Sequence, residues 1–569
     1  MAETSVNIGF GLFDVSAKRD ITTITSSDVA WSGLGFIDVY DLALDGVFPP
    51  KAATLENDYW KLDGTFEIMP AEPENVTWGF WDNLFSGSTS PYTFSTTPYI
   101  TIKMGDLHES SGITIEFNPH DNSYATKIRI RWYKGTTVLS DMYFYPDNWR
   151  YTCSNKVVGF NGIRVDFYQM NKPGRLLKVQ NIAYGEYIFF PSADIISANL
   201  LEEADPVSNE LSINNLDFSV YTPDKKFNIW NPDGVYDLLQ KKQQLTVEGW
   251  RDDYYINFGS YYVDTWETEY KTVGISAVDA VGLLDTTIFN GGIYTNKPVD
   301  ELILEVLADA GFGYGIDGDI GAAALTGWIP RCTHREALQQ IAFAAGAFVD
   351  TSRGGMIKIS ALDDAVYCTL GRDRKFMGSK ANLKEYVTEV DLTAHQYIVG
   401  ASSTTLFSGE LPAGVSEVTF SSPAYTVAVD TEASTGTAEL PLVEVGVNHC
   451  KINVLTAGTI VITGRPYEDN TTIVRARVPE VEPGEKEGVV SITDATLISD
   501  TNAEAIAGRL LQYYQMRTEQ ELSFVLDKES VGKGINVEVD KGVWRDGVIT
   551  KLETDLTGGF VTKAVIIGG

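Results

Sequence analysis

The chain has 569 residues, and its 44 Lys and Arg against 77 Asp and Glu give a formal net charge of −33 at pH 7. Such a field repels phosphate backbones and argues against a nucleic-acid reader. It is compatible with simple solubility, and with DNA passing through a lumen without binding to its wall. The length predicts several domains, and the abundance of Gly, Tyr, Phe and Trp favours a mainly β fold.

The four cysteines lie far apart and form no Cys-x-x-Cys pair. We therefore do not expect a zinc site or a disulfide framework. We expect assembly in a reducing cytoplasm. The N-terminus lacks a basic segment followed by an apolar run, and no apolar stretch is long enough to span a bilayer. We expect neither a signal peptide nor a membrane-spanning segment.

Residues 1–72 form the first predicted unit, an N-terminal β segment. It contains strand-like pieces, and residues 69–75 at its boundary are rich in proline and acid, as linkers are. Residues 73–190 form the second unit, in which aromatic residues are dense and apolar residues alternate, as in Ile128–Trp132. This pattern, with Pro and Gly turns between the strands, predicts a jelly-roll β-sandwich.

This unit resembles discoidin-type carbohydrate-binding jelly rolls in the order of its aromatic strands and turns. The order includes Ser111-Gly-Ile-Thr-Ile-Glu-Phe117 and Pro173-Gly-Arg-Leu176. The resemblance implies contact with glycan through aromatic residues of the loops. An exposed aromatic ring can stack on the apolar face of a sugar while polar neighbours bond its hydroxyls, although core packing is the commoner role of such residues. The predicted glycan-binding candidates are Trp81, Tyr92, Tyr145 and Trp149, with Asp82, Asn83, Asp147 and Arg150 beside them.

Residues 191–290 predict a small antiparallel β-barrel. Short strands recur around Leu211–Val220, Leu245–Trp250 and Ile256–Asp264, and the turn-forming Asn231–Gly234 and a helical turn with Leu238 and Leu239 lie between them. The segments Phe227-Asn-Ile-Trp-Asn-Pro-Asp-Gly234 and Phe258-Gly-Ser-Tyr-Tyr-Val-Asp264 resemble the first barrel of bacteriophage tail hub and tail-tip proteins. On this resemblance, residues 1–72 belong to the hub as well.

Residues 291–375 predict a small α/β domain. One helix begins at Lys297–Glu301 with Pro298 in its first turn, and it has an apolar stripe from Val299 to Ala310 and Gly311 as its cap. A second helix follows the capping-box pair Thr333 and Glu336. The order Gly327-Trp-Ile-Pro330 through Phe348-Val-Asp350 resembles the α/β domain between the two barrels of tail hubs.

Residues 376–480 predict a Ser/Thr-rich β-domain inserted in a second barrel, and residues 481–569 a helix and the barrel itself. Thr501 and Glu504 indicate a capping box for that helix. The last strands repeat the order of the first barrel, with a strand, a turn, a strand ending in Glu-Thr and a returning strand. Two related barrels in each of three copies would match a sixfold tube.

The resemblance to hubs implies a structural protein at the tail tip or baseplate of a virion. It implies a homotrimer that contacts the tail tube, the distal tail and other tail-tip proteins, surrounds genome DNA without binding it specifically, and is assembled in the cytoplasm of the bacterial host. With the jelly roll, the expected ligand is a polysaccharide of the host cell surface. The alternative is a secreted or surface carbohydrate-binding protein or a glycoside hydrolase.

Neither a catalytic residue nor a cofactor is predicted. The chain has no nucleophile elbow, no metalloprotease helix and no phosphate-binding glycine loop. His334 has no second ligand at helical spacing, and Asp317 and Asp319 lack the further acids of a calcium loop. We therefore predict a surface histidine, a solvated turn and no metal site.

Overall fold

The computed structural model describes residues 4–13, 15–33, 52–57, 59–60, 79–118, 123–225, 227–228, 230–231, 242–252, 254–310, 312–354, 356–481, 486 and 488–568. Strands from several sheets dominate, which confirms the predicted mainly β, multidomain fold class. Asn231 is described, but the rest of the Asn231–Gly234 turn, Leu238, Leu239 and Gly311 lie outside these residues.

The strands of the first half are β1 Thr4–Phe13, β2 Ile21–Ser26, β3 Val29–Gly33, β4 Gly79–Phe85, β5 Tyr99–Phe117, β6 Ala125–Lys134, β7 Thr137–Phe144, β8 Arg150–Met170, β9 Leu176–Pro191, β10 Ile195–Glu203, β11 Asn215–Tyr221, β12 Gln244–Arg251, β13 Tyr254–Thr268, β14 Thr272–Val278, β15 Ile288–Phe289 and β16 Gly292–Pro298. Those of the second half are β17 Tyr314–Ile316, β18 Ala324–Ile329, β19 Cys332–Thr333, β20 Phe348–Asp350, β21 Ile357–Ser360, β22 Asp363–Leu370, β23 Lys380–Leu383, β24 Glu389–Val399, β25 Thr404–Leu411, β26 Gly414–Thr419, β27 Ala424–Val429, β28 Thr437–Ala438, β29 Glu444–Val445, β30 His449–Thr456, β31 Gly458–Arg477, β32 Val489–Ile492, β33 Thr518–Val525, β34 Lys533–Asp540, β35 Val543–Asp555 and β36 Val561–Gly568. The helices are α1 Val15–Arg19, α2 Ala280–Leu284, α3 Val299–Ala310, α4 Gly318–Ala322, α5 His334–Ala345 and α6 Ala503–Tyr514.

The first barrel is an antiparallel meander of β11 to β14. In β12 the apolar residues alternate, so that Leu245 and Val247 are buried while their neighbours are half-buried. Strand β12 pairs with β13, β13 with β14, and β14 returns to β11. Strand β1 lies beside β12, so the N-terminus of the chain is part of this barrel.

The second barrel repeats this pairing. Strand β34 pairs with β35, β35 with β36, and β36 returns to β33, as β14 returns to β11. Strands β22 and β23 extend the sheet, the first parallel to β34 and the second antiparallel to β33. The meanders of the two barrels therefore have the order that the repeated sequence pattern predicts.

The two barrels share one hydrophobic core and one ladder. Strand β10 of the first barrel pairs with β35 of the second between Asn199 and Glu203. Inside, the rings of Phe258 and Phe560 meet edge to face with centroids 5.3 Å apart. Gly249 faces both rings, and a Cβ there would lie 2.5 Å from Phe258 Cε2, so any side chain at this position would have to displace a buried ring.

The strands of the sandwich lie between β1 and β10 in the sequence. Strands β5 and β8 are long and carry register shifts, so that the halves of each pair with different neighbours. One set of strands runs β2, β5, β8, β6, β7, and the other contains β3, β4, β9, β5 and β8. Between them lies an aromatic core that includes Phe117, Trp132 and Phe167.

The N-terminal strands divide between two bodies. Strand β1 pairs with β9 and β12, whereas β2 pairs with β5 and β3 with β4, inside the sandwich. A segment at 52–57 lies over strands β4 and β9, because Glu56 forms an ion pair with the buried Lys178 at 2.6 Å. Residues before the predicted boundary at 72 thus contribute to both the barrel and the sandwich.

The helices α3 and α5 form where the apolar periodicity predicts them, but Pro298 was wrongly predicted in the first turn of α3: it ends strand β16, and α3 begins at Val299. The predicted stripe of α3 is buried from Val299 to Leu307. In α5 the capping box is present in full: Thr333 accepts from the amide of Glu336, and the carboxylate of Glu336 accepts from the amide of Thr333. Helix α6 packs in the same core, together with Val390 and Leu392 of β24.

The predicted capping box of α6 is wrong. Asn502 is the N-cap and makes no side-chain cap bond. Its side chain instead holds the preceding loop, because its Oδ1 accepts from Ser499 N at 2.8 Å and its Nδ2 donates to Ala344 O at 2.9 Å. The hydroxyl of Thr501 lies 2.8 Å from that of Ser499 and is thereby used within the loop.

Phe560→Ala should destabilise the joined barrels strongly. Because Phe560 is fully buried against Phe258, its removal leaves a cavity in the shared core, and we expect the free energy of unfolding to fall by about 3–5 kcal/mol. Urea denaturation followed by tryptophan fluorescence measures this. Tyr254→Ala, at a position 50% exposed, is the control and should change the stability little. Equal loss in both variants would contradict a shared core.

Candidate functional site

Three connections of the sandwich meet at one end, which we call the loop end. The amide of Phe117 donates to Trp149 O at 2.7 Å, and the amide of Asn118 donates to Lys178 O at 3.1 Å. The amide of Met170 donates to Tyr92 O at 3.2 Å. These bonds hold the connections around residues 86–98, 145–149 and 171–175 next to one another.

Tyr145 is the most exposed aromatic residue among the predicted candidates, at 63%. It follows β7 directly, and Pro146 behind it is buried, so the ring faces solvent from a fixed backbone. Asp147 is exposed two residues further along the connection. The loop end therefore presents one free aromatic face with a carboxylate close to it in sequence.

Trp149 and Arg150 form a stacked pair. The guanidinium carbon of Arg150 lies 4.7 Å from the centroid of the Trp149 ring, and Arg150 Nε donates to Glu116 Oε1 at 2.6 Å. Trp149 is half-buried and packs on the sandwich core. The ion pair fixes the cation, and the cation covers part of the ring.

Tyr92 and Asn83 lie near the same end but differ in exposure. Tyr92 has a left-handed backbone with φ of 53° and is half-buried against the sandwich core. Its amide donates to Thr89 O at 2.9 Å, which closes a tight turn. Asn83 is exposed at the outer face of β4.

Trp81 and Asp82 do not face solvent, contrary to the expectation for a ligand-binding pair. Trp81 is 1% exposed, because Ala52 and the amino group of Lys178, 5.1 Å from its ring centroid, cover it. Asp82 is fully buried and accepts from Ser27 Oγ at 2.7 Å. Burial raises the pKa of Asp82. We therefore leave both residues out of the glycan site.

A second polar cluster lies buried where the barrels meet the α/β domain. Glu202 of β10 forms an ion pair with Arg353 at 2.8 Å, and Arg353 stacks over Phe258 with its guanidinium carbon 4.7 Å from the ring centroid. Burial raises the pKa of Glu202 to about 7, against the opposing effect of Arg353. Nearby, Arg374 binds Glu529 at 2.6 Å. No sequence pattern marks this cluster, because its members are distant along the chain.

Asp279 is also buried and has a structural role. Its Oδ1 caps α2 by accepting from Gly282 N at 3.0 Å, and its Oδ2 accepts from Thr351 Oγ1 at 2.6 Å. Burial raises its pKa to about 6. Because Asp279 and Glu202 are enclosed by packed strands, a sugar ring cannot lie between them, and they do not form the carboxylate pair of a glycosidase.

The described histidines each pair with one carboxylate. His334 Nε2 lies 2.9 Å from Asp309 and His395 Nδ1 lies 2.8 Å from Asp469. His334 is only 2% exposed, so the predicted surface position is wrong: the ring packs beside Phe289 under helix α5. Within the described ranges no group of three His, Cys, Asp or Glu could hold a metal ion.

Asp317 is the N-cap of α4 and accepts from Asp319 N at 3.2 Å, which is the bonding of a helix start. Among the described residues, no helix is long and apolar enough to cross a membrane.

Comparison with known proteins gives structural likenesses only. No protein-family model and no curated protein matches the chain. A tail protein from Neisseria meningitidis is 11% identical, with a TM-score of 0.38, over 66% of this chain and 92% of its own. The prophage tail protein gp18 from Listeria monocytogenes is 10% identical, with a TM-score of 0.38, over 68% and 91%. A 43 kDa tail protein of prophage MuSo2 from Shewanella oneidensis is 10% identical, with a TM-score of 0.36, over 65% and 93%. Likenesses of this size decide neither fold nor function.

Glu202 predicts a pH dependence of stability. Its pKa in the folded chain, about 7, lies above that of an exposed glutamate, so the folded state holds a proton that the unfolded state releases. The stabilisation that this proton gives to the folded state is complete below the ordinary glutamate pKa, and it is lost as the pH rises through about 7. Between pH 5 and 8 the thermal midpoint of Glu202→Gln should therefore fall less than that of the wild type.

Glu203→Gln is the control, because the neighbouring Glu203 points to the other side of β10 and its side chain is 42% exposed. This variant should follow the wild type across the whole range. Parallel curves for Glu202→Gln and the wild type would show that Glu202 releases its proton at the same pH in both states.

Proposed function

We propose that the chain is a structural protein of a phage-like tail, the homotrimeric hub of a tail tip or baseplate. The observation that carries the proposal is the pair of barrels with the same strand pairing, joined through β10 and β35 around one core. A rigid pair of related barrels, repeated by a threefold axis, gives the six equivalent positions that a sixfold tube requires.

The proposed surface between copies includes the outer strands of the second barrel. Within the described residues β22 and β23 each pair on one side only, so each has an open edge. They and their neighbours also expose large apolar side chains. Soluble monomers seldom have contiguous apolar patches of this kind on their surface. These side chains are Val366 (50%), Tyr367 (50%), Phe376 (45%), Met377 (103%), Leu383 (68%) and Trp544 (41%).

In this role the hub joins the tail tube to the distal tail and other tail-tip proteins in the virion, after assembly in the cytoplasm of the host. Genome DNA passes through the lumen without specific binding, in keeping with the net charge of −33. The chain is not proposed to be an enzyme, because the buried carboxylates hold loops and helix starts.

We further propose that the loop end binds polysaccharide of the host cell surface. Tyr145 supplies an open aromatic face, and Asp147, Asn83 and the cation of Arg150 supply polar groups for hydroxyls. Trp149 and Tyr92 support the site from below, since both pack on the sandwich core.

The oligomeric state tests the hub proposal. Mass photometry should give three times the chain mass of 62.6 kDa, and negative-stain images should show a ring with a central channel. Leu383→Glu places a charge in the proposed interface and should shift the population to monomer. Leu455→Glu, at a position 60% exposed in the inserted β-domain, should leave the trimer intact. A monomeric wild type would overturn the proposal.

Binding to whole bacterial cells tests the glycan proposal. Tyr145→Ala should keep the thermal midpoint, because the ring makes little packing, and weaken cell binding about tenfold through the lost stacking. Trp149→Ala should weaken binding as well, at some cost in stability. Tyr270→Ala, at a position 65% exposed on the first barrel, is the matched control and should bind as the wild type does. Unchanged binding by Tyr145→Ala would remove the loop end from host contact.

A further inference from the structure

The outer face of the sandwich sheet β5–β8–β6–β7 is basic and aromatic in an otherwise acidic chain. Residues that alternate with the buried Ile128, Ile130 and Trp132 point outward from β6, and they are cations. We call this surface the basic face. It holds the cations Lys103, Lys127, Arg129, Arg131 and Arg164, the carboxylates Asp141 and Asp166, and the tyrosines Tyr99, Tyr133, Tyr143 and Tyr168.

Strand register places these side chains in rows across the sheet. In one row Tyr143, Arg129, Asp166 and Tyr99 are consecutive cross-strand neighbours. In the next row Asp141, Arg131, Arg164 and Thr101 follow in the same order. Cations in a strand therefore repeat at roughly 6.6–6.8 Å, and cations on adjacent strands lie about 5 Å apart.

The arginines of the face are held in place. Arg129 makes a two-pronged bond to Asp141, at 2.7 and 2.6 Å. Asp166 is 4% exposed and accepts from both Arg131 and Arg164, so one carboxylate serves two guanidinium groups. These fixed cations lose little freedom when an anion binds them.

Positive charge remains in excess on the face. Lys127 lies over the rings of Tyr143 and Tyr168, with its Nζ 5.3 and 5.8 Å from their centroids. Lys103 is exposed at the other side of the face. Among the described residues, neither lysine forms an ion pair with a carboxylate. Gly162 lies opposite both Lys103 and Tyr133 in the pairing, so no side chain stands between them on β8.

We propose that the basic face binds an anionic polysaccharide, a chain of sugar rings that carry carboxylate or similar charges. Tyrosine rings beside fixed cations suit a ligand with both apolar ring faces and spaced negative charges. The cation spacing is of the order of one sugar repeat. Duplex DNA carries one charge per roughly 1.7 Å, and so dense a charge is repelled more strongly by the rest of the chain.

The inference rests on the sandwich alone and does not require the hub proposal or the loop end. Tyr143 is 45% exposed and lies on β7, before the connection that holds Tyr145. Variants of the face and of the loop end can therefore be compared in the same binding assay. Failure of the hub proposal would be seen in the oligomeric state and not in this assay.

The test is binding of the full-length protein to sodium polygalacturonate by isothermal titration calorimetry, with neutral dextran and a short DNA duplex as further ligands. We expect binding to polygalacturonate alone, and affinity that falls as salt rises from about 0.05 to about 0.3 M. Lys127→Glu and Tyr143→Ala should each weaken it at least tenfold.

Matched controls come from elsewhere on the chain. Lys541→Glu makes the same charge change at an exposed hairpin turn. Tyr425→Ala removes a ring that packs against Tyr467, 6.3 Å between centroids, with Arg465 near it, as Tyr143 packs with Tyr168 and Arg129. Both controls should bind as the wild type does. No binding to polygalacturonate, equal binding to dextran or DNA, or unchanged affinity in both face variants would overturn the proposal.

Discussion

The ladder between β10 and β35 is the contact on which the arrangement of the whole chain depends. Each strand belongs to a different barrel, and their pairing over Asn199–Glu203 merges two meanders into one sheet. On the inner side Leu200 and Leu552 are fully buried in the common core. Backbone bonds fix the register, and side-chain packing fixes the distance between the barrels. The two barrels therefore form one rigid body.

The buried ion pair of Glu202 and Arg353 adds a directional constraint to that ladder. Glu202 lies on β10 itself, and Arg353 comes from the loop between β20 and β21 of the α/β domain. A buried ion pair contributes little net stability, since removing both charges from water costs about as much as their attraction gains. Its geometry is strict, however, and it fixes the α/β domain to the seam between the barrels.

Local patterns predicted local structure well. The period of Val299–Ala310 and the Thr333–Glu336 box are complete within a few residues, so α3 and α5 could be predicted from them. The repeated strand order at the C-terminus could also be predicted from the sequence, because each barrel is a continuous meander. Contacts over long distances in sequence left no such trace.

The cover over β4 shows why part of the site could not be predicted. Trp81 and Asp82 have the composition of a ligand-binding pair, but Glu56, more than a hundred residues before its partner Lys178, brings a segment over that face. The predicted capping box of α6 was wrong for a similar reason, since the side-chain amide of Asn502 donates to Ala344 O of another helix. Composition identifies side chains that can bind a ligand, and long-range packing decides which of them remain accessible.

The net charge of the chain does not show how its charged side chains are distributed over the surface. A net charge of −33 describes a chain that repels anions, yet the alternation Lys127-Ile-Arg-Ile-Arg131 sends every cation to one side of β6. Screening over roughly 8 Å at physiological salt lets such a face act on a nearby ligand almost independently of distant carboxylates. The attachment of the sandwich supports this separation. Because the sandwich leaves the first barrel at β1 and returns to it through β9, which pairs with β1, its orientation on the barrel is fixed.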